Sequence, residues 1–298
     1  MSRESEKALH QALEYLAAHE DEIKDEGDAN RLFQEFAQHY NAQPRSAQPE
    51  TVDDYLELAE EAKTKKAAMG YIKKALELEP DNLDALLMQA ERNAKSPMDL
   101  VVSLPPILEK GDAQMEREGH FRDDMGEFWL VYETRPYMRL RYAYLQALKD
   151  CGMMRKAVAE GERLMELCKS DNLGVRYALI HLYVYLEEKE KALALFHSDE
   201  YDEECQMLLA LSLLYFKLGE LDTSLDYLKK LRKCNKDTKK FLRLVCRGDG
   251  EELFSYGDEQ YGYQPNTIEE LVSAYGDNLY LFVPAEHFFR WANKQIKN

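Results

Sequence analysis

Residues 67–82 read AAMGYIKKALELEPDN. Ala68, Tyr71, Ala75 and Leu78 recur at helical spacing, and Pro80-Asp81-Asn82 ends the run. Small side chains at Ala68 and Ala75 let a second helix approach closely, while Tyr71 and Ile72 fill the space beside it. Pro80 cannot continue the helix, so the next one starts afresh. With the preceding helix from Tyr55, this is one copy of a helix-pair repeat of about 34 residues.

The same marks return in phase further along. The stretch 135–169 has Gly152 at its inter-helix turn and Ala157 at the close-approach position. The next copy carries Tyr177, Leu179, Ile180 and Tyr183, then Ala192 and Phe196. A third carries Leu208, Leu211, Ser212 and Tyr215, then Gly219, Leu225 and Leu228. Ala157 and Ala192 are 35 residues apart and Gly152 and Gly219 are 67 apart, close to whole multiples of the repeat. The expected fold is all-α: a tetratricopeptide-type right-handed helical solenoid with an N-terminal helical hairpin and an aromatic C-terminal cap.

Residues 1–42 read as that acidic hairpin, with helices over 4–19 and from Asp28, which is expected to cap the second. Residues 43–50 read as a linker, within the unperiodic, proline-bearing run 41–50. Residues 51–124 hold the first repeats. There Ser96-Pro97-Met98-Asp99 starts a helix, Pro105-Pro106 interrupts it, and the polar stretch 112–124 is expected to be a mobile connection. Residues 125–247 form the central array. Residues 248–298 combine a glycine- and tyrosine-rich loop over 248–264 with capping helices that carry Phe288, Phe289 and Trp291.

The chain of 298 residues has a formal charge of −17, which opposes binding to nucleic acid or anionic lipid. Residues 1–60 hold 15 acidic against 5 basic side chains. That excess reads either as a solvated face or as a docking face for a basic partner. The five cysteines are odd in number and show no CxxC spacing, so reduced thiols in a cytoplasmic protein are expected. The N-terminus lacks the apolar stretch of a signal peptide, and the apolar run 205–216 is too short to span a bilayer.

No phosphate loop, HExxH pair or nucleophile motif is present, so no cofactor, no metal and no catalytic residue is expected. The positive signal is Glu133-Thr134-Arg135-Pro136-Tyr137-Met138-Arg139-Leu140-Arg141-Tyr142. In phase, Arg139, Tyr142, Gln146 and Lys149 share one helix face, and Arg176, Tyr177, His181 and Tyr185 occupy the first helix of the following unit. These eight are the candidate ligand-groove residues, suited to an acidic peptide or a free C-terminal carboxylate. The alternative is that the arginines pair internally, with carboxylates such as Glu133, Glu160 and Asp171.

Phe128-Trp129, residues 133–139, Gly152, Lys156-Ala157, Asp171-Asn172, Gly174 and Arg176-Tyr177 carry a likeness. The chain resembles a family of bacterial cytoplasmic tetratricopeptide proteins with an ETRPYMR-like motif, over most of residues 50–296. It departs from that pattern at Pro105-Pro106, Lys169 and Leu173. The resemblance implies fold rather than activity. The expected function is a non-enzymatic protein- or peptide-binding scaffold. The rivals are a structural or self-assembling protein whose groove is filled by its own tail or another copy, and an unrecognised enzyme or enzyme regulator.

Overall fold

A computed structural model describes residues 3–42, 49–198, 204–257 and 262–296. It is all-helical, with no strand among the described residues. The chain divides into two compact units, Met1–Cys151 and Gly152–Asn298. The division falls inside the expected array of 125–247.

The first unit begins with the paired helices α1 (Arg3–Ala18) and α2 (Glu26–Ala42). The carboxylate that opens α2 belongs to Asp25, which accepts from the Asp28 N–H, and not to Asp28 itself. The expected linker lies largely outside the described residues. Then α3 (Val52–Glu61) and α4 (Lys65–Leu78) form a tight hairpin. Thr51 and Asp54 close a reciprocal capping box on α3, and Thr64 caps α4. Ala59, Ala68, Ile72 and Ala75 are fully buried, so the small residues lie where close packing requires them. Ala75→Leu is expected to overpack this core and cost about 1–3 kcal/mol, measured by chemical denaturation.

Asn82 caps α5 (Leu83–Asn93), and Ser96 with Asp99 caps α6 (Pro97–Ser103). Pro105-Pro106 ends α6 but also starts α7 (Pro105–Glu118), because proline's fixed φ suits the first helical turn. Leu108, Gly111 and Met115 give α7 a buried stripe, and α8 (His120–Asp123) follows. The expected connection over 112–124 is therefore mostly helical. Finally α9 (Arg135–Asp150) packs against α5, α6 and α7. Gly111 makes that approach possible: a Cβ there would lie 2.7 Å from the Tyr137 ring.

The second unit contains α10 (Met154–Leu167), α11 (Val175–Leu186), α12 (Lys189–Phe196), α13 (Cys205–Lys217) and α14 (Leu221–Cys234). Every residue of α13 from Cys205 to Tyr215 is buried, which accounts for an apolar run broken only by Gln206 and Ser212. Ser212 is paired with the buried Ser224 of α14. Each hydroxyl donates to the other's backbone carbonyl, at 3.0 and 2.7 Å, where α13 and α14 cross.

After α15 (Thr238–Arg247) comes α16 (Gly250–Phe254), a short helix inside the expected 248–264 loop. Asp249 caps it and Leu253 is buried beneath it. The segment then forms α17 (Ile268–Asp277), α18 (Leu279–Phe282) and α19 (Glu286–Gln295). Phe288 stacks edge-on against Phe216, and Phe289 against Phe241. No helix among the described residues is long and apolar enough to cross a membrane.

Candidate ligand cleft and the expected groove residues

The arginine-tyrosine motif is wired into the first unit. Thr134 Oγ1 donates to the carbonyls of Phe128 and, at 3.0 Å, Val131. Arg135 Nε donates to the Trp129 carbonyl at 2.9 Å, and its guanidinium lies 5.6 Å from the centre of the Trp129 ring. Tyr137 donates to Asp112, and Arg141 bonds the same carboxylate at 2.8 Å. Burial, then the Asp112 bond, pushes the Tyr137 phenol well above its ordinary range.

Arg139 makes a forked pair with Asp84, at 2.9 and 2.5 Å, and reaches Glu6 at 2.8 and 3.1 Å. The side chains of Asp84 and Glu6 are only 6% and 7% exposed, so this charge cluster is largely withdrawn from water. Tyr142 and Gln146 are half-buried on α9, and Lys149 is buried.

The other four expected groove residues belong to the second unit. Arg176 pairs with Asp171 at 3.0 Å, bonds the Tyr177 hydroxyl at 3.1 Å and lies 3.6 Å from Glu204. Asp171 also accepts from the backbone N–H groups of Val175 and Arg176, at 2.7 and 3.1 Å, and so caps α11. Burial raises the Asp171 carboxyl above its usual range, against the pull of these donors. Burial likewise raises the Tyr177 phenol.

His181, expected in the groove, has no exposed surface. Its Nδ1 lies 2.6 Å from the Tyr177 carbonyl, and its ring meets Phe282 of α18 edge-on at 5.4 Å. Tyr185 stays 42% exposed but packs against Tyr280. The tail thus covers the face of α11 on which these residues lie. Sequence reasoning missed this because Phe282 is far away in the chain and aromatic in a generic way.

One open cleft of about 750 Å³ lies within the first unit. It runs between α1, the start of α3, the α4–α5 turn and the start of α9. Seven carboxylates line it (Glu6, Asp53, Glu79, Asp81, Asp84, Glu118, Glu133) against two arginines, Arg117 and Arg139. Two of the seven, Glu6 and Asp84, hold Arg139; Asp81 bonds Lys110 at 2.7 Å, and Glu133 is exposed on the rim. Leu78, 51% exposed, and Pro80 and Pro136 add apolar surface.

Tyr132 stacks on His10 at 4.2 Å, and its hydroxyl points at Asp53, 3.4 Å away. Burial, then the charges of Asp53 and Glu6, pushes that phenol above its ordinary range, as a negative local field requires. Among the described residues no cluster of His, Cys, Asp and Glu has the geometry to hold a metal. The cleft offers carboxylates and apolar surface, an arrangement that suits a cationic group on an apolar stem. No known family model, curated protein or solved structure matches the chain.

Proposed function

We propose that this chain is a non-enzymatic peptide-binding scaffold of tetratricopeptide type, working in the cytoplasm, and that its ligand lies in the cleft of the first unit. The observation that carries the reading is the balance of charge there: seven carboxylates, two arginines, and a floor fixed by the Arg139–Asp84–Glu6 cluster. The preferred ligand is a segment rich in Lys or Arg. This reverses the sign expected from Arg139 and Arg176, whose charges are matched by internal carboxylates. It agrees with the acidic excess of residues 1–60 as a docking face.

A labelled lysine- and leucine-rich peptide tests it by fluorescence anisotropy. Binding is expected to weaken as salt rises, because surface charges are screened. Glu133→Lys is expected to lower affinity about tenfold, or about 1.4 kcal/mol. Equal binding of an acidic peptide of the same length would overturn the reading.

The self-filled reading has support of its own in the second unit. Phe282 covers His181, Tyr280 packs on Tyr185, and the Gln206 amide donates to the Tyr263 hydroxyl at 2.8 Å. On this reading the second unit is structural. Hydrogen exchange with the peptide bound then shows new protection in the first unit alone.

A further inference from the structure

Cys205 and Cys234 are 29 residues apart in sequence, yet their sulfur atoms lie 3.3 Å apart. The hairpin dictates this. Cys205 opens α13 and Cys234 closes α14, so antiparallel packing brings the start of one helix to the end of the other. The two sulfurs have unequal access. Cys205 is fully buried, and Cys234 is half-buried. Cys205 Sγ also donates to Asn266 Oδ1 at 3.3 Å, and Cys234 Sγ to the Leu231 carbonyl at 3.3 Å.

We infer that Cys205 and Cys234 form a modification site: a dithiol that closes to an intramolecular disulfide by exchange with a small-molecule disulfide. A disulfide needs sulfurs about 2 Å apart, so a small side-chain rotation brings this pair to bonding distance.

The reaction starts at the accessible thiol. The Cys234 thiolate attacks one sulfur of the small disulfide, whose S–S bond breaks and expels one thiolate. A mixed disulfide then stands at Cys234. Cys205 gives up its proton to solvent and attacks Cys234 Sγ, expelling the second thiolate. Two protein thiols are oxidised and one small disulfide is reduced to two thiols, which take up the two protons. In the reduced pair the neighbouring Cys234 thiol, then burial, holds the Cys205 proton tightly, which fits Cys234 as the first sulfur to react. Closure ties the ends of α13 and α14 together and removes the S–H that Cys205 donates to Asn266 just ahead of α17. The other three cysteines, Cys151, Cys168 and Cys246, have no sulfur partner among the described residues.

The test uses the full chain under native conditions with glutathione disulfide as the probe. Peptide mapping without reductant is expected to recover a Cys205–Cys234 cross-link, reversed by dithiothreitol and absent from Cys234→Ser. The oxidised chain is expected to melt about 5 °C or more above the reduced one, because closing the loop restricts the unfolded chain. Three outcomes would overturn the proposal. One is a glutathione adduct that persists on Cys234 without resolving. Another is a cross-link that forms only after denaturation. The third is an oxidised chain that melts below the reduced one. The mapping on the unaltered chain keeps the test valid even where a serine variant folds poorly.

Discussion

Replacing Arg139 with Met is expected to lower the stability of the first unit by about 3–5 kcal/mol. The guanidinium faces two carboxylates that water barely reaches, Asp84 and Glu6. Without it, Asp84 loses its forked partner, while Glu6 keeps Arg135 at 3.7 Å. The desolvation cost that the ion pairs now offset is then less well compensated. Denaturation followed by hydrogen exchange at α5 and α9 measures the loss. A companion variant separates the cause. Arg139→Met with Asp84→Leu removes the forked pair together, leaves Glu6 with Arg135, and is expected to regain most of the stability, as apolar replacement of a buried ion pair can. A loss below about 1 kcal/mol in the single variant would show that the cluster behaves as a solvated surface pair.

Asp171→Ala is expected to be almost as damaging to the second unit, at about 3–5 kcal/mol. Its side chain is 1% exposed and serves three donors at once: two backbone N–H groups at the start of α11 and the Arg176 guanidinium. Its backbone also sits at φ +48°, a left-handed setting that Asp and Asn tolerate better than Ala. Asp171→Asn keeps the backbone setting and one good acceptor, so its expected loss is smaller, about 1–3 kcal/mol. Thermal melts of the two variants check the order. Equal losses would mean that the neutral acceptor kept by Asn contributes nothing and that the carboxylate charge carries the whole effect.

The contrast between these two arginines shows what the chain makes legible. Asp171 lies five residues from Arg176, and local spacing is enough to name it as a partner. The partners of Arg139 are 55 and 133 residues away, and opposite charges carry no periodicity by which to find them. Ala68, Ala75 and Pro80 were readable for the same local reason: helix spacing and proline sterics act within a turn or two. Pro105 was readable as the end of one helix but not as the start of the next, because proline does both by the same fixed φ. The motif around Thr134, Arg135 and Tyr137 was found by its composition. Its role was hidden because Thr134 and Arg135 bond backbone carbonyls six residues back, which every residue type supplies, and Tyr137 bonds Asp112, 25 residues away.

The Glu6–Arg139 contact has a consequence in time. Glu6 emerges from the ribosome 133 residues before Arg139. At about 5–20 residues per second, the first helix waits on the order of 10 s for the guanidinium it is built to meet. Over that interval α1 has an acidic side chain without its counter-charge, and α9 does not yet exist to receive it. Nascent chains arrested before Arg139 should therefore leave α1 open to protease, and chains arrested after α9 has cleared the exit tunnel should protect it. Closure of the first unit waits for α9, its last helix, a delay set by the distance between two charges along the message.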